Sequence, residues 1–233
     1  MDELFGIRLS QGTIYNILQS IKNASMGMYE EIRSRIERSE VVGADESTQN
    51  INGHKHWVWV FQTAHLTYLY PHLSRGKQAI KQHFPHGLPH SCLVTDRYEA
   101  YFSLDVKRHQ ICLAQHKRKT LPWKEIDRKA ILKKFQDLLY QTLNHLHKEI
   151  QNLQKGLLKH RKHVFNFLFD PQIPYDNNAS ERAVRPIKVK QKVSGCFRSD
   201  QGAMAYAVIH SITDTAKKNK QSQFEALRAI VNQ

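Results

Sequence analysis

Residues 41–70 have the sequence VVGADESTQNINGHKHWVWVFQTAHLTYLY, and this stretch decides the fold. It contains a short apolar run that ends at Asp45, followed by the β-branched and aromatic runs Trp57–Phe61 and Thr67–Tyr70. Turn-forming residues separate the runs, most clearly at Asn50–Gly53. Short runs of this composition between turns are typical of strands, so the stretch predicts three strands in a meander.

Further elements are predicted on both sides of this meander. Apolar residues at helical spacing between residues 10 and 38 predict two helices. After the meander, residues 75–84 have a helical pattern, and Ser91–Asp96 and His109–Ala114 have the composition of buried strands. Three strands, a helix, a strand, a short helix and a strand form the order of a ribonuclease H-like α/β fold. We therefore expect a mixed sheet with helices on both faces.

The second half of the chain has a different pattern. Apolar residues at steps of three and four between residues 124 and 158 predict one long amphipathic helix or a helical hairpin. A loop and a helix start follow at residues 170–178, and the C-terminal residues predict two packed helices. These patterns divide the chain into an N-terminal helical segment, 1–39, and a ribonuclease H-like core, 40–233. The helical insertion, at about residues 117–168, precedes the third acidic residue discussed below.

The composition indicates a folded protein with a polyanionic partner. Among 233 residues, 35 Lys and Arg against 21 Asp and Glu give a formal net charge of +14. With 40% hydrophobic residues the chain can bury a core, so the charge is not that of a disordered basic tail. No run approaches the roughly 20 apolar residues of a membrane helix. With no such run we expect a soluble, cytoplasmic protein. Because Cys92, Cys112 and Cys196 form no CxxC pair, we expect neither a disulfide framework nor a zinc ribbon.

Two of the predicted strands stop at an aspartate, Asp45 and Asp96. Functional groups collect at the carboxyl ends of strands in open α/β sheets, so two adjacent strands would let these carboxylates share a cation. A third acid, Glu181, follows Asn177 and Ser180, either of which could cap a helix. Converging carboxylates suit Mg²⁺ or Mn²⁺, and two ions about 4 Å apart could activate a water or a 3′-hydroxyl at a phosphodiester. The alternative is that each acid is a cap or an exposed residue.

A run of five cations, with no acid between them, follows the third acid: Arg182, Arg185, Lys188, Lys190 and Lys192. Lys188 lies seven residues after Glu181, two helical turns on, so both are expected on one helix face. These cations could bind a DNA backbone beside the metal ions. The alternative is a solvated basic face in which Glu181 and Arg185 form an i,i+4 pair and Pro186 disturbs the helix.

Five stretches, in order along the chain from residue 9, carry a resemblance to a known family. They are Leu9–Asn16, Val42–Ser47 with Trp57–Trp59, Thr95–Tyr101, Asp176–Pro186 and Ser199–Ala203. The stretch around Glu181 is the most specific of them. In these stretches the chain resembles the IS66-type transposases, which are insertion-sequence enzymes of the DDE class.

The resemblance implies a ribonuclease H-like catalytic core with a helical insertion before the third acid. It implies Asp45, Asp96 and Glu181 as a triad that is both catalytic and metal-binding, with two Mg²⁺ or Mn²⁺ ions as the cofactor. The implied activity is the cleavage and strand transfer of insertion-sequence DNA. The implied partners are DNA, as element ends and as target, and a second copy of the chain in the transposition complex. The implied location is the bacterial cytoplasm, at the nucleoid when DNA is bound.

The chain departs from the family pattern in two places. Relatives commonly have Cys-Trp-Ala-His after the fifth strand, whereas Cys112–Gln115 has the sequence CLAQ and His116 comes one place later. Relatives also have an N-terminal region with DNA-binding and zinc-ribbon elements, whereas this sequence begins just before the core. We therefore expect a truncated copy. Two alternatives stay open: a remnant that binds DNA without catalysis, and a ribonuclease H-like nuclease that cleaves without joining. His109, Cys112 and His116 are a further candidate set of ligands for a soft metal such as zinc.

Overall fold

The computed structural model describes residues 9–113, 155–156 and 158–231. Within them the sheet has five strands in the order β3-β2-β1-β4-β5. β1 pairs antiparallel with β2, and β2 with β3, while β1 pairs parallel with β4, and β4 with β5. This order and these directions confirm the predicted mixed sheet of a ribonuclease H-like fold. The strands are β1 (Val41–Ile51), β2 (His54–Gln62), β3 (Thr67–His72), β4 (Leu88–Thr95) and β5 (Val106–Ile111).

Helices cover both faces of the sheet, as predicted, and the two N-terminal and two C-terminal helices expected from the sequence are present. None of the helices in the described ranges combines the length and the apolar composition needed to cross a bilayer. Short 3₁₀ turns occur at Glu99–Ser103 and Arg161–His163. The helices are α1 (Gln11–Ala24), α2 (Met26–Glu37), α3 (Lys77–His83), α4 (Asn166–Phe169), α5 (Asn178–Ser194), α6 (Asp200–Lys218) and α7 (Gln223–Val231).

Most of the predicted helical insertion, residues 117–154, lies outside the described residues. The described end of the insertion contains the Arg161–His163 turn and the start of α4. The proposed division of the chain at residue 39 stays a prediction. Helix α2, on the N-terminal side of that boundary, packs its buried side chains into the same core as the sheet.

Two apolar clusters lie on opposite faces of the sheet. The larger one packs α2 and α3 against aromatic side chains of β2 and β3, including Trp59, Phe61 and Tyr70. These residues alternate with Val58 and Val60, which face the other side, as the two-residue period of a strand requires. The smaller cluster packs Val58, Val60 and Leu69 against α5. This second cluster seats α5 on the sheet.

Helix α6 lies against the edge strand β3, and its side chains form hydrogen bonds with the backbone of β3. The hydroxyl Oγ of Ser211 accepts a hydrogen bond from the Leu69 N–H at 2.9 Å, and Thr215 Oγ1 accepts one from the Thr67 N–H at 3.0 Å. The Thr67 hydroxyl donates to Asp214 Oδ2 at 2.6 Å. An uncovered edge would present unpaired donors to other chains, so the polar side chains of α6 both satisfy and protect β3.

The prediction that Asp45 ends its strand is wrong, because β1 continues to Ile51. The antiparallel pairing with β2 extends to the pair Ile51 and His54, whereas the parallel pairing with β4 ends at Gly43 and Val94. The apolar run stops where β1 loses its neighbour on one side, so the change in composition marks the end of one pairing and not the end of the strand.

The pairing of α6 with β3 can be tested with Ser211→Ala. This change leaves the buried Leu69 N–H without its acceptor, so we expect the free energy of unfolding to fall by about 1–3 kcal/mol in urea denaturation. Thr213→Ala is the control, because the Thr213 hydroxyl bonds only carbonyls of its own helix. An equal effect of the two substitutions would contradict the role assigned to Ser211.

Candidate active site

Asp45 and Asp96 lie side by side at one edge of the β1–β4 pair. The last parallel pair joins Gly43 to Val94, and each aspartate lies two residues further along the chain. Side chains two residues apart share a face of a strand, so both carboxylates point to the face that α5 covers. Asp96 directly follows the last residue of β4, Thr95. The structure therefore brings these two predicted residues together from neighbouring strands.

Glu181 reaches the same place from the other side. It lies in the first turn of α5, which packs on β1 and β2 through Ala183, Val184 and Ile187. The three carboxylates face one cleft of about 270 Å³. The residues that line this cleft are Asp45, Glu46, Asp96, Cys112, Asn177, Glu181, Val184, Arg185 and Lys188.

The Asp45 carboxyl has an altered proton affinity. Burial is the main cause that raises its pKa, to about 7, and the negative charge of Glu46 adds to it, with smaller contributions from Asp96 and Glu181. A hydrogen bond from the Glu46 N–H to Asp45 Oδ1, at 2.9 Å, opposes this shift. Asp96 Oδ1 likewise accepts a bond from the Tyr98 N–H at 2.9 Å. One oxygen of each aspartate is thus oriented by the backbone.

The donor set of the cleft fits a hard divalent cation, because carboxylate oxygens are the ligands that Mg²⁺ and Mn²⁺ prefer. The carboxylates are not drawn to a common point, however. Among the described residues, no group of three or more His, Cys, Asp or Glu side chains is arranged to hold a metal ion. Mutual repulsion, which contributes to the raised pKa of Asp45, favours this spacing around the cleft.

Glu46 is a fourth carboxylate at the cleft, and sequence reasoning missed it. Its side chain is 2% exposed, and Arg75 donates to its Oε1 from Nε at 3.0 Å and from Nη2 at 2.7 Å. Tyr101 donates its hydroxyl proton to Oε2. The Arg75 guanidinium also lies 4.7 Å from the centre of the Trp57 ring and 4.1 Å from that of Tyr98. The buried charge of Glu46 is therefore paired and fully bonded, as a buried carboxylate requires.

The Glu46–Arg75 pair also holds the loop that carries Asp96. Tyr98 donates its hydroxyl to the Arg75 carbonyl at 3.1 Å and its backbone N–H to Asp96. The loop after β4 is thereby tied to β1 through Arg75. The available clue was that Glu46 directly follows Asp45 in the sequence. Because consecutive residues of a strand face opposite sides, strand periodicity alone did not place Glu46 at the cleft.

Two cations of the basic run lie in the wall of the cleft. Arg185 and Lys188 line it together with Glu181, which agrees with the helical spacing of Glu181 and Lys188. Helix α5 continues through Pro186 to Ser194, so the proline does not end it. Positive charge therefore lies directly beside the carboxylates.

The other cations of the run lie away from the cleft. Lys190 Nζ lies 3.7 Å from the centre of the Phe197 ring, and burial lowers the pKa of this amine. Arg182 and Lys192 are exposed on α5. These three side chains are placed to extend a basic surface along α5 and do not contribute to the cleft wall.

Two members of the candidate soft-metal set, His109 and Cys112, lie within the described residues. His109 is 3% exposed, and its Nε2 lies 2.7 Å from Thr95 Oγ1. Burial, with smaller effects from His163 and His160, lowers the pKa of His109 to about 3, so the ring is neutral. Cys112 Sγ accepts a bond from the Asn177 N–H at 3.1 Å. His116 lies outside the described residues, so the set as a whole stays a prediction.

Comparison with known proteins adds independent information. A search of curated proteins finds no match. A solved structure described as the Mos1 transposase catalytic domain with raltegravir and Mg is similar at 12% identity, over 91% of this chain and 98% of that chain, with a TM-score of 0.22. At that score the similarity adds nothing to what the strand order already shows. The model of the IS66 family of transposases matches residues 1–125 and 120–205. The chain therefore belongs to the IS66 family of transposases.

Proposed function

We propose that this protein is a DDE-type transposase that cuts and joins the DNA strands of an insertion sequence. Asp45, Asp96 and Glu181 are its catalytic and metal-binding carboxylates. The observation that supports this proposal most strongly is the cleft itself, where three acids from β1, the end of β4 and α5 face one another beside Arg185 and Lys188. Acids and cations in one cleft suit a reaction at a phosphodiester, because the acids can hold metal ions while the cations bind the flanking phosphates.

Each part of the site has a task in this reaction. Asp45, Asp96 and Glu181 would hold two Mg²⁺ or Mn²⁺ ions. Ions held there would supply activation of a water or a 3′-hydroxyl and stabilisation of the leaving oxygen. Backbone N–H groups of Glu46 and Tyr98 orient Oδ1 of the two aspartates, so Oδ2 of each is available as a ligand. A carboxyl with a raised pKa, as Asp45 has, placed beside other acids in a cleft is typical of catalytic sites.

DNA is the proposed partner, both as element ends and as target, and two copies of the chain are proposed to act together in the transposition complex. Arg185 and Lys188 would contact phosphates next to the bond that reacts. Arg182, Lys190 and Lys192 would extend this contact along α5. Contacts of this kind position DNA without reading its sequence.

A remnant that binds DNA without catalysis is the second candidate function. One observation favours it: in the described part of the chain, no three potential ligands are arranged to hold a metal ion. The two candidates differ in one property, namely whether the carboxylates can close on a cation. The effect of Asp96→Asn on product formation separates them.

The first prediction concerns Asp96→Asn. In Mn²⁺, with pre-paired DNA that carries the element's own ends, we expect the variant to form less than about 1% of the wild-type product, because loss of one member of a catalytic set costs orders of magnitude. Asparagine keeps the size and can still accept the Tyr98 N–H bond, so DNA affinity should be unchanged. Asp105→Asn, at an exposed position away from the cleft, is the matched control.

Two outcomes of this assay would contradict the proposal. Equal product from wild type and Asp96→Asn would mean that another site or a contaminant does the chemistry. No product from either protein, with DNA binding preserved, would favour the remnant.

The second prediction concerns the basic run. DNA affinity should fall steeply with salt, because each neutralised phosphate releases counterions. Lys188→Ala with Lys190→Ala should reduce the slope of log affinity against log salt by about one unit for each phosphate that the variant no longer neutralises. Lys22→Ala with Lys81→Ala removes equal charge from helices that do not line the cleft, and should leave the slope nearly unchanged. Equal slopes for the two double variants would exclude α5 as the DNA-tracking surface.

The third prediction concerns pH. In the metal-free protein the pKa of Asp45 is raised from 3.8 to about 7, so the folded state holds a proton that the unfolded chain releases. Wild type therefore loses stability as the pH rises through this interval. Asp45→Asn cannot titrate, so its free energy of unfolding should increase relative to wild type up to about pH 7 and then level off. Urea denaturation at several pH values measures this; a difference that stays constant with pH would contradict the burial of the Asp45 charge.

A further inference from the structure

The N-terminal end of α5 is joined to β1 by a buried asparagine. The Asn177 side chain donates from Nδ2 to the Ala44 carbonyl at 2.7 Å, and the residue is 4% exposed. Ala44 directly precedes Asp45, and Asn177 accepts the Glu181 N–H at its own carbonyl, at 3.1 Å. One side chain thus connects the segments that carry two of the three acids.

A second connection runs through Gln62 and Ser180. Gln62 Nε2 donates to Ser180 Oγ at 3.3 Å, and Lys218 Nζ donates to Gln62 Oε1 at 3.0 Å. Ser180 is fully buried and directly precedes Glu181. A chain of polar side chains therefore leads from the end of α6, across β2, to the first turn of α5.

Both connections meet above Gly43, which pairs with Gln62 in the sheet. A Cβ atom at this position would lie 2.5 Å from both Gln62 Nε2 and Ser180 Oγ, and 3.2 Å from Asn177 Oδ1. Real Cβ atoms do not approach other atoms to 2.5 Å, so a residue larger than glycine would displace these side chains. The requirement is one of space, since the backbone of Gly43 is not in the left-handed region.

Asn177 is not used as helix caps usually are. An asparagine at the N-cap normally accepts a hydrogen bond from an N–H of the first helical turn. The Asn177 side chain makes no such bond and extends to β1 instead. Its Oδ1 is buried without a hydrogen-bond partner among the described residues, which carries a desolvation cost. An arrangement selected only for helix stability would satisfy that oxygen.

The apolar contacts between α5 and the sheet do not fix this end of the helix by themselves. On α5 they are made by Ala183, Val184 and Ile187, all of which follow Glu181 in the helix. Small apolar contacts allow a helix to rotate or slide slightly, and the residue beyond the contact then moves most. The bonds at Asn177 and Ser180 hold the end that carries Glu181.

We propose that Asn177, Ser180 and Gln62, meeting above Gly43, are positioning residues that fix the first turn of α5 on β1 so that Glu181 faces Asp45 across the cleft. Asn177 also lines the cleft, but the role assigned to all three residues is to act through Glu181. The inference rests on the proposed function, because it assigns to these residues the task of assembling the metal-binding carboxylates.

The test is Mn²⁺ binding by the full chain, measured by titration calorimetry at a temperature where thermal unfolding shows every variant to be folded. Asn177→Ala and Gly43→Ala should weaken Mn²⁺ binding by about 10- to 100-fold, the usual effect of residues that orient metal ligands. Two matched controls should bind as wild type does. They are Asn178→Ala and Gly27→Ala. Among the residues that the structure describes, the Asn178 side chain bonds only Asp176, and a Cβ at Gly27 would meet nothing within 4 Å.

A second readout does not depend on metal. In the metal-free protein, amide hydrogen exchange in the first turn of α5 should be faster in Asn177→Ala than in Asn178→Ala. Unchanged protection in Asn177→Ala would overturn the proposal, whatever the Mn²⁺ result.

Glu181→Gln separates failure of this inference from failure of the proposed function. If Glu181→Gln weakens Mn²⁺ binding but folded Asn177→Ala and Gly43→Ala bind as tightly as wild type, the positioning role is wrong and the metal site stands. If Glu181→Gln binds Mn²⁺ as tightly as wild type, the metal-binding triad itself is wrong and this inference falls with it.

Discussion

The short parallel pairing of β1 with β4 is the contact on which the rest of the structure depends. It joins the antiparallel meander to the second half of the sheet, and it ends at Gly43 and Val94 while β1 continues along β2. Beyond this point β1 no longer pairs with β4, and its next bridge on that side joins Ile51 to Phe197, so Asp45 lies at an opening in the sheet with Asp96 beside it. Helix α5 packs over this opening and adds Glu181. The cleft forms because β1 continues along β2 after its pairing with β4 has ended.

The carboxylates on the two faces of β1 have different partners. This difference distinguishes an acid with a structural role from one with a proposed catalytic role. Glu46 is buried, and Arg75 and Tyr101 bond it, so its charge is compensated within the protein. Within the described ranges Asp45 accepts a hydrogen bond from the backbone of the next residue and from no side chain, and its pKa is raised to about 7. An acid in a cleft without a compensating charge binds either a proton or a cation. The proposed reaction depends on the binding of a cation.

The sequence predicts the elements of this fold well and the contacts that position the site poorly. Period and composition identified the strands and the helices because one face of each is apolar and buried. The adjacency of Asp45 and Asp96 was predicted although the end of β1 was not, since an apolar run stops wherever a strand loses a neighbour. Arg75 bonds Glu46 from 29 residues away, and Asn177 bonds Ala44 from 133 residues away. No local pattern encodes such contacts, because they depend on how finished elements pack.

The central claim is that Asp45, Asp96 and Glu181 close on divalent cations, and a crystal structure of the protein with Mn²⁺ tests it most directly. Mn²⁺ scatters anomalously, so its position can be measured without reference to the protein geometry. The claim predicts anomalous peaks in the cleft, each within about 2.0–2.4 Å of carboxylate oxygens from at least two of the three acids. A map with no peak in the cleft, at a Mn²⁺ concentration that saturates binding in solution, would contradict it.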